Sequence, residues 1–276
     1  MKLKTVLIVL VLLLGHRHWA LAQSSHERSV KEVWIENNSR SIYGVLSRAK
    51  DSEVKQPLVI IAHGFNGTHD FGRNYFETLN NLGYQCFTFD FPCGSVNSRS
   101  NNNTMEMSVL DQQSDLEAII RYFKSQPDVD VDNIVLIGES QGGLVASLTA
   151  AHAAKDIRRL ILVYPALCIP AQWNKRYPQL SEIPDTTRIW NVPLGRRFFT
   201  ELRDMEVFSI IGKFKKPVLI IQGDADAIVS LEDSRRALKI YKDAHLHIIP
   251  GAGHGFKANE LKESLLQIEG FLKPGI

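Results

Sequence analysis

Residues 133–143 read Asn133-Ile134-Val135-Leu136-Ile137-Gly138-Glu139-Ser140-Gln141-Gly142-Gly143. Ile134 through Ile137 form a continuous apolar run, which suits a strand covered on both faces. Glycines stand two residues before and two after Ser140, and residues 143–154 follow as a helical candidate. A strand, a tight turn with serine at its apex and then a helix is the arrangement in which a hydroxyl projects from a strand end. The glycines leave room there for the crossing backbone.

The same rhythm continues in both directions. Short runs rich in Val, Ile, Leu or Phe lie at 57–62 and 85–91 upstream and at 159–164, 217–222 and 245–250 downstream, and all read as strands buried on both sides. Helical candidates at 73–82, 107–124, 143–154, 231–243 and 259–272 lie between or after them, and Ser230, three residues before Asp233, offers one of them a cap. Two further β-rich runs, 30–36 and 41–48, flank the turn residues Asn37-Asn38-Ser39 and read as an antiparallel hairpin at the leading edge. The expectation is an α/β fold: a mostly parallel eight-stranded sheet with helices on both faces. One connection breaks the alternation. Residues 167–216, after the sixth strand, hold Trp173, Tyr177, Trp190, Phe198 and Phe199, while Pro170, Pro178, Pro184 and Pro193 discourage a single long helix. An insertion of that length in a compact domain reads as a cap subdomain.

A serine hydroxyl needs a base within hydrogen-bond reach, and the base needs a group that orients it. Strand 217–222 leads into Gly223-Asp224-Ala225-Asp226, and strand 245–250 leads into Gly251-Ala252-Gly253-His254-Gly255. Both fall at strand carboxyl ends, where open α/β sheets place their sites. Ser140, Asp226 and His254 are therefore the catalytic candidates. Asp226 is preferred to Asp224, which can serve the turn through its own side chain. His254 is preferred to His245 and His247, which lie inside a strand. His63-Gly64-Phe65-Asn66-Gly67 follows strand 57–62, so the backbone N–H groups of Phe65 and Gln141 are the candidates for holding an oxyanion, with His63 bracing the loop. No phosphate-binding loop and no paired cysteine or histidine ligands are evident, so neither a cofactor nor a metal is expected.

With these pieces assembled, the chain from about residue 30 onward resembles the α/β-hydrolase superfamily, and in detail the bacterial cinnamoyl or feruloyl esterases. His63-Gly64-Phe65, Gly138-Glu139-Ser140-Gln141-Gly142-Gly143, Gly223-Asp224-Ala225-Asp226, Gly251-Ala252-Gly253-His254 and the insertion after the sixth strand carry the resemblance. It implies hydrolysis of hydroxycinnamoyl or related aryl and sugar esters derived from plant cell walls, with the insertion over the phenolic group. The insertion's aromatic content makes Trp173 and Trp190 the candidate substrate contacts. The sequence departs from that pattern at Glu139, where the branch more often has histidine, and at Gly94-Ser95-Val96-Asn97, where a glycine-rich loop is usual. An acylaminoacyl or dipeptidyl-type serine peptidase would share the fold and the triad. A non-catalytic binding protein of the same fold would usually lack a triad member or an elbow glycine.

The rest of the composition narrows the setting. A formal charge of +2 over 276 residues suggests neither nucleic acid nor an acidic membrane surface as partner. Lys175, Arg176, Arg188, Arg196 and Arg197 in the insertion would suit a polar or acidic substrate, or else form a solvated face. Basic Met1-Lys2-Leu3-Lys4, an apolar run at 6–14 and Ala20-Leu21-Ala22 have the order of a secretory signal. Cleavage after Ala22 would leave an exported domain of residues 23–276, periplasmic or secreted. Cys86, Cys93 and Cys168 allow at most one disulfide, with Cys93 and Cys168 the conceivable pair.

Overall fold

In the computed structural model, residues 28–49 and 54–273 are described, so the predicted leader at 1–22 lies outside the described residues. Asn38, in the left-handed region at φ 54°, turns the chain between β1 (Arg28–Asn37) and β2 (Arg40–Ala49), which pair antiparallel throughout. The chain then runs through β3 (Gln56–Ala62), β4 (Gln85–Phe89), β5 (Val129–Glu139) and β6 (Arg159–Val163). A small hairpin, β7 (Thr186–Ile189) and β8 (Val192–Gly195), precedes β9 (Val218–Gly223) and β10 (Ala244–Ile249). Eight of these strands form one sheet in the order β1-β2-β4-β3-β5-β6-β9-β10, parallel from β4 onward.

Side-chain alternation along the central strands divides the core in two. Leu58, Ile60, Leu136, Leu160, Leu162 and Ile220 pack with Leu116, Ile119 and Phe123 of the helix Val109–Lys124 and with Leu144 and Leu148 of the helix Gln141–His152. Val59, Ile61, Val135, Ile137, Ile161 and Ile221 pack on the other face with Leu79 of the helix Phe76–Asn81 and with Ile268 and Leu272 of the helix Ala258–Leu272. Each such aliphatic side chain, fully buried, is worth about 1.5–3 kcal/mol. Helices thus cover both faces, as the continuous apolar runs imply.

Three expectations shift. The run 245–250 is only partly buried: β10 is the terminal strand among the described residues, and although side chains of both flanking helices reach it, most of its residues stay half-exposed. The helical segment 73–82 is broken into a 3-10 turn, Arg73–Tyr75, and the helix Phe76–Asn81. Cys86, Cys93 and Cys168 are all free thiols, so no Cys93–Cys168 bridge forms. The cap at Ser230 is present, its hydroxyl accepting from the Glu232 N–H at 3.1 Å.

Within 167–216 the chain forms the helix Ile169–Arg176, the β7–β8 hairpin and the short helices Arg197–Thr200 and Val207–Ile211. An aromatic nest holds it together, with Phe199 meeting Trp173 at 4.9 Å, Tyr177 at 5.7 Å and Phe198 at 5.3 Å between ring centroids. The hairpin is fastened to the body where Thr104 Oγ1 donates to Pro193 O at 2.7 Å. At its tip Trp190 and Asn191 both take positive φ, 46° and 67°. Such turns match the twist of the strands, but a tryptophan held there costs about 1–2 kcal/mol. Among the described residues no helix is long and apolar enough to cross a membrane.

Candidate active site

Ser140 follows directly on β5 and caps the helix Gln141–His152 with φ 48° and ψ −119°. A non-glycine residue in so sparsely populated a conformation costs about 1–3 kcal/mol and persists only when its surroundings dictate it. Here the Ser140 N–H donates to Val163 O at 3.1 Å, and its carbonyl accepts from the N–H groups of Gly143 at 2.9 Å and Ala166 at 2.8 Å. A Cβ on Gly142 would stand 2.3 Å from Ala62 O, and one on Gly138 would stand 2.4 Å from Gly142 O. Only glycine lets β3, β5 and the helix start crowd together behind the serine.

Parallel register brings the other groups to the same edge. Gly138 pairs with Ala62, Glu139 with Val163, and Ile249 with Gly223, so the segments that follow β3, β5, β6, β9 and β10 emerge side by side. Ser140 Oγ lies 2.9 Å from His254 Nε2, and His254 Nδ1 lies 2.9 Å from Asp226 Oδ2. Asp226 also accepts from Ile228 N–H at 2.8 Å, Val229 N–H at 2.9 Å and Gln222 Nε2 at 2.9 Å. A carboxylate fed by those donors is the acceptor for His254 as well. The imidazole proton therefore sits on Nδ1, and Nε2 is free to accept from the serine hydroxyl. Asp224 instead accepts from Gly251 N–H at 2.6 Å, bracing the two loops against each other.

His63 is buried, with Nε2 accepting from Phe91 N–H at 3.1 Å and Nδ1 donating to Gly64 O at 2.7 Å. Burial pushes its pKa down, which suits a neutral brace. The loop His63–Gly67 lies against the serine, since a Cβ on Gly64 would meet Ser140 Cβ at 3.0 Å. The altered loop at 94–97 holds it there. Asn66 N–H donates to Gly94 O at 3.1 Å, Ser95 Oγ donates to Asn66 O at 3.1 Å, and Val96 N–H donates to Asn66 Oδ1 at 3.0 Å. Gln141 opens its helix, so its N–H has no partner one turn back. Among the described residues the Phe65 N–H has no hydrogen-bond acceptor.

Beside the serine opens a pocket of about 190 Å³ lined by Phe65, Trp173, Trp190, Ile189, Phe198, Ile228 and Val229, with Cys168 and Gln172 as its polar side chains beyond Ser140 and Gln141. Both predicted tryptophans line it together with Phe198, another aromatic of the insertion, whereas Ile189 and Ile228 give no local sequence signal. The cations of the insertion do not line the pocket. Arg188 donates to Asn191 O, Arg196 to Leu180 O, and Arg197 pairs with Asp111. They hold the insertion's own backbone and tie it to the body.

A model of the dienelactone hydrolase family matches residues 42–265. The chain belongs to the dienelactone hydrolase family. Its eight-stranded sheet with helices on both faces is the α/β-hydrolase fold. The chain is similar to Est1E from Butyrivibrio proteoclasticus, a structure with ferulic acid bound, at 28% identity and TM-score 0.80 over 87% of this chain and 97% of that one. Mouse alpha/beta hydrolase domain-containing protein 10, at 16% identity and TM-score 0.72 over 88% of this chain and 98% of that one, shares the fold. Among curated proteins it is similar to the monoacylglycerol lipase ABHD6 of Bos taurus, 27% identical over 62% of this chain and 49% of that protein. The chain thus spans about half the length of the curated relatives it matches.

Proposed function

We propose that this dienelactone hydrolase family member is a serine carboxylesterase acting on aryl esters of the hydroxycinnamoyl type. The observation that carries the reading is the unbroken relay of 2.9 Å contacts from Ser140 Oγ through His254 to Asp226 at the floor of an apolar pocket. His254 Nε2 takes the hydroxyl proton as Ser140 Oγ attacks the ester carbonyl, and Asp226 stabilises the imidazolium that forms. The N–H groups of Phe65 and Gln141 receive the developing oxyanion, each such donor being worth about 2.7–4 kcal/mol. His254 then returns the proton to the departing alkoxide, leaving an acyl-Ser140 that water, activated by the same histidine, hydrolyses.

The chemistry of the walls supports the substrate class. Aromatic and aliphatic groups face the pocket and the insertion's cations face elsewhere, so a flat, uncharged acyl or alcohol portion fits better than an acidic one. Segment 167–216 acts in this proposal as the cap over that portion, and the order of residues 1–22 supports export to the periplasm or beyond. The test is a hydrolysis panel of methyl ferulate, acetylated sugars, short and long nitrophenyl esters and peptide anilides. The highest kcat/KM is expected on methyl ferulate or a related cinnamate. Preference for the anilides would replace the reading with a peptidase.

A further inference from the structure

Glu139 takes no part in the relay, yet it immediately precedes Ser140 and is buried. The hydroxyl of Tyr75, from the 3-10 turn Arg73–Tyr75, donates to Glu139 Oε1. Tyr164, the residue after β6, is buried beside the same carboxyl, and burial together with that carboxyl pushes its phenol upward. Tyr164 in turn is joined to the loop that carries His254. Its ring lies 4.8 Å from the imidazole, tilted by 58°, and meets Phe256 edge-on at 4.7 Å. Tyr164 has φ 37°, a conformation a bulky residue keeps only where contacts on several sides require it.

We infer that Glu139 and Tyr164 are positioning residues for His254: the Glu139 carboxyl anchors the Tyr164 hydroxyl, and Tyr164, gripping the imidazole and the Phe256 segment, sets the tilt of the ring between Ser140 and Asp226. The inference rests on the proposed role of His254 as base. It gives a reason for a buried carboxyl at a position where an apolar side chain would otherwise be the cheaper choice. Neither residue lines the pocket, so their loss acts on the proton transfer and not on substrate binding.

The test compares Tyr164→Phe, Glu139→Leu, Glu139→Gln and His254→Ala on a short nitrophenyl ester, with folding checked by thermal melt. A histidine displaced by a fraction of an ångström predicts kcat lowered about 10–100-fold in Tyr164→Phe and Glu139→Leu with KM within about twofold. Glu139→Gln keeps an acceptor for the phenols and is expected to recover to within about threefold of wild type. Wild-type kcat in folded Tyr164→Phe, or equal impairment in the Gln and Leu variants, overturns the inference. If Glu139→Leu does not fold, Tyr164→Phe, which removes a single oxygen, decides. Activity retained in His254→Ala would overturn the base reading itself; an inactive His254→Ala beside an unimpaired Tyr164→Phe overturns only the positioning role.

Discussion

Asp226 and His254 meet at 2.9 Å, and the carboxylate that receives the imidazole is held on its other oxygen by the backbone N–H groups of Ile228 and Val229. Its near neighbour Asp224 faces Gly251 instead. Asp226→Asn should therefore lower kcat about 10⁴-fold by favouring the wrong tautomer. Asp224→Asn keeps an acceptor for that N–H and should leave kcat within about threefold of wild type. A steady-state comparison of the two checks this, and a larger loss in Asp224→Asn would reverse the assignment.

Glu139 gives stability a pH dependence. Burial raises its carboxyl from an ordinary 4.5 to about 8. The folded protein thus keeps the proton that the unfolded chain releases near pH 4.5, so this group's contribution is full below that value. It falls as the pH rises and is lost as the pH passes about 8. Tyr75 and Tyr164, which face it, are themselves pushed upward by burial and stay neutral across the window. Relative to Glu139→Gln, the wild-type Tm is expected to decline between those limits; parallel Tm curves for the two proteins would show that Glu139 ionises freely in the fold.

The two tryptophans of the insertion should behave differently. Trp190 is 64% exposed and meets Phe65 edge-on at 5.7 Å. Trp190→Ala is expected to leave Tm nearly unchanged and to lower kcat/KM about tenfold on methyl ferulate but not on nitrophenyl acetate. Trp173 packs on Phe199, so Trp173→Ala should cost about 1–3 kcal/mol in a denaturant melt. Equal losses on both esters in Trp190→Ala would leave that residue no part in recognition.

Gly142 admits no side chain. A Cβ there would stand 2.3 Å from Ala62 O and 2.4 Å from His63 O, pushing the helix start away from the His63–Gly67 loop. Gly142→Ala should destabilise the protein by about 1–3 kcal/mol, as overpacking does, and lower kcat at least tenfold. Unchanged values for both would mean that the elbow has more freedom than its contacts indicate.

What could be read in advance was local in sequence. Asn133 to Gly143 carries strand, turn and helix within eleven consecutive positions, and its apolar run and spaced glycines each follow from a contact made on the spot. Asp226 and His254 were legible because each follows a recognisable strand. The last strand was misjudged because an apolar run such as 245–250 does not reveal that no neighbour lies beyond it. Arg188 and Arg196 left a polar or acidic substrate and a solvated face equally open, because nothing in their spacing shows that backbone carbonyls of the same segment take up their donors. Tyr164 against His254 was invisible for the same reason: its partner follows another strand, and a positive φ at a tyrosine has no sequence signature.

The central claim, that Ser140 is the nucleophile, is tested most directly by covalent trapping. The protein is treated with a fluorophosphonate, digested, and the modified peptide located by mass spectrometry while residual esterase activity is followed. The account predicts one adduct per chain, on Ser140, formed in step with loss of activity and absent in Ser140→Ala, which itself should be about 10⁴–10⁶-fold slower than wild type. An adduct on another residue, or full activity in a completely labelled protein, would contradict it.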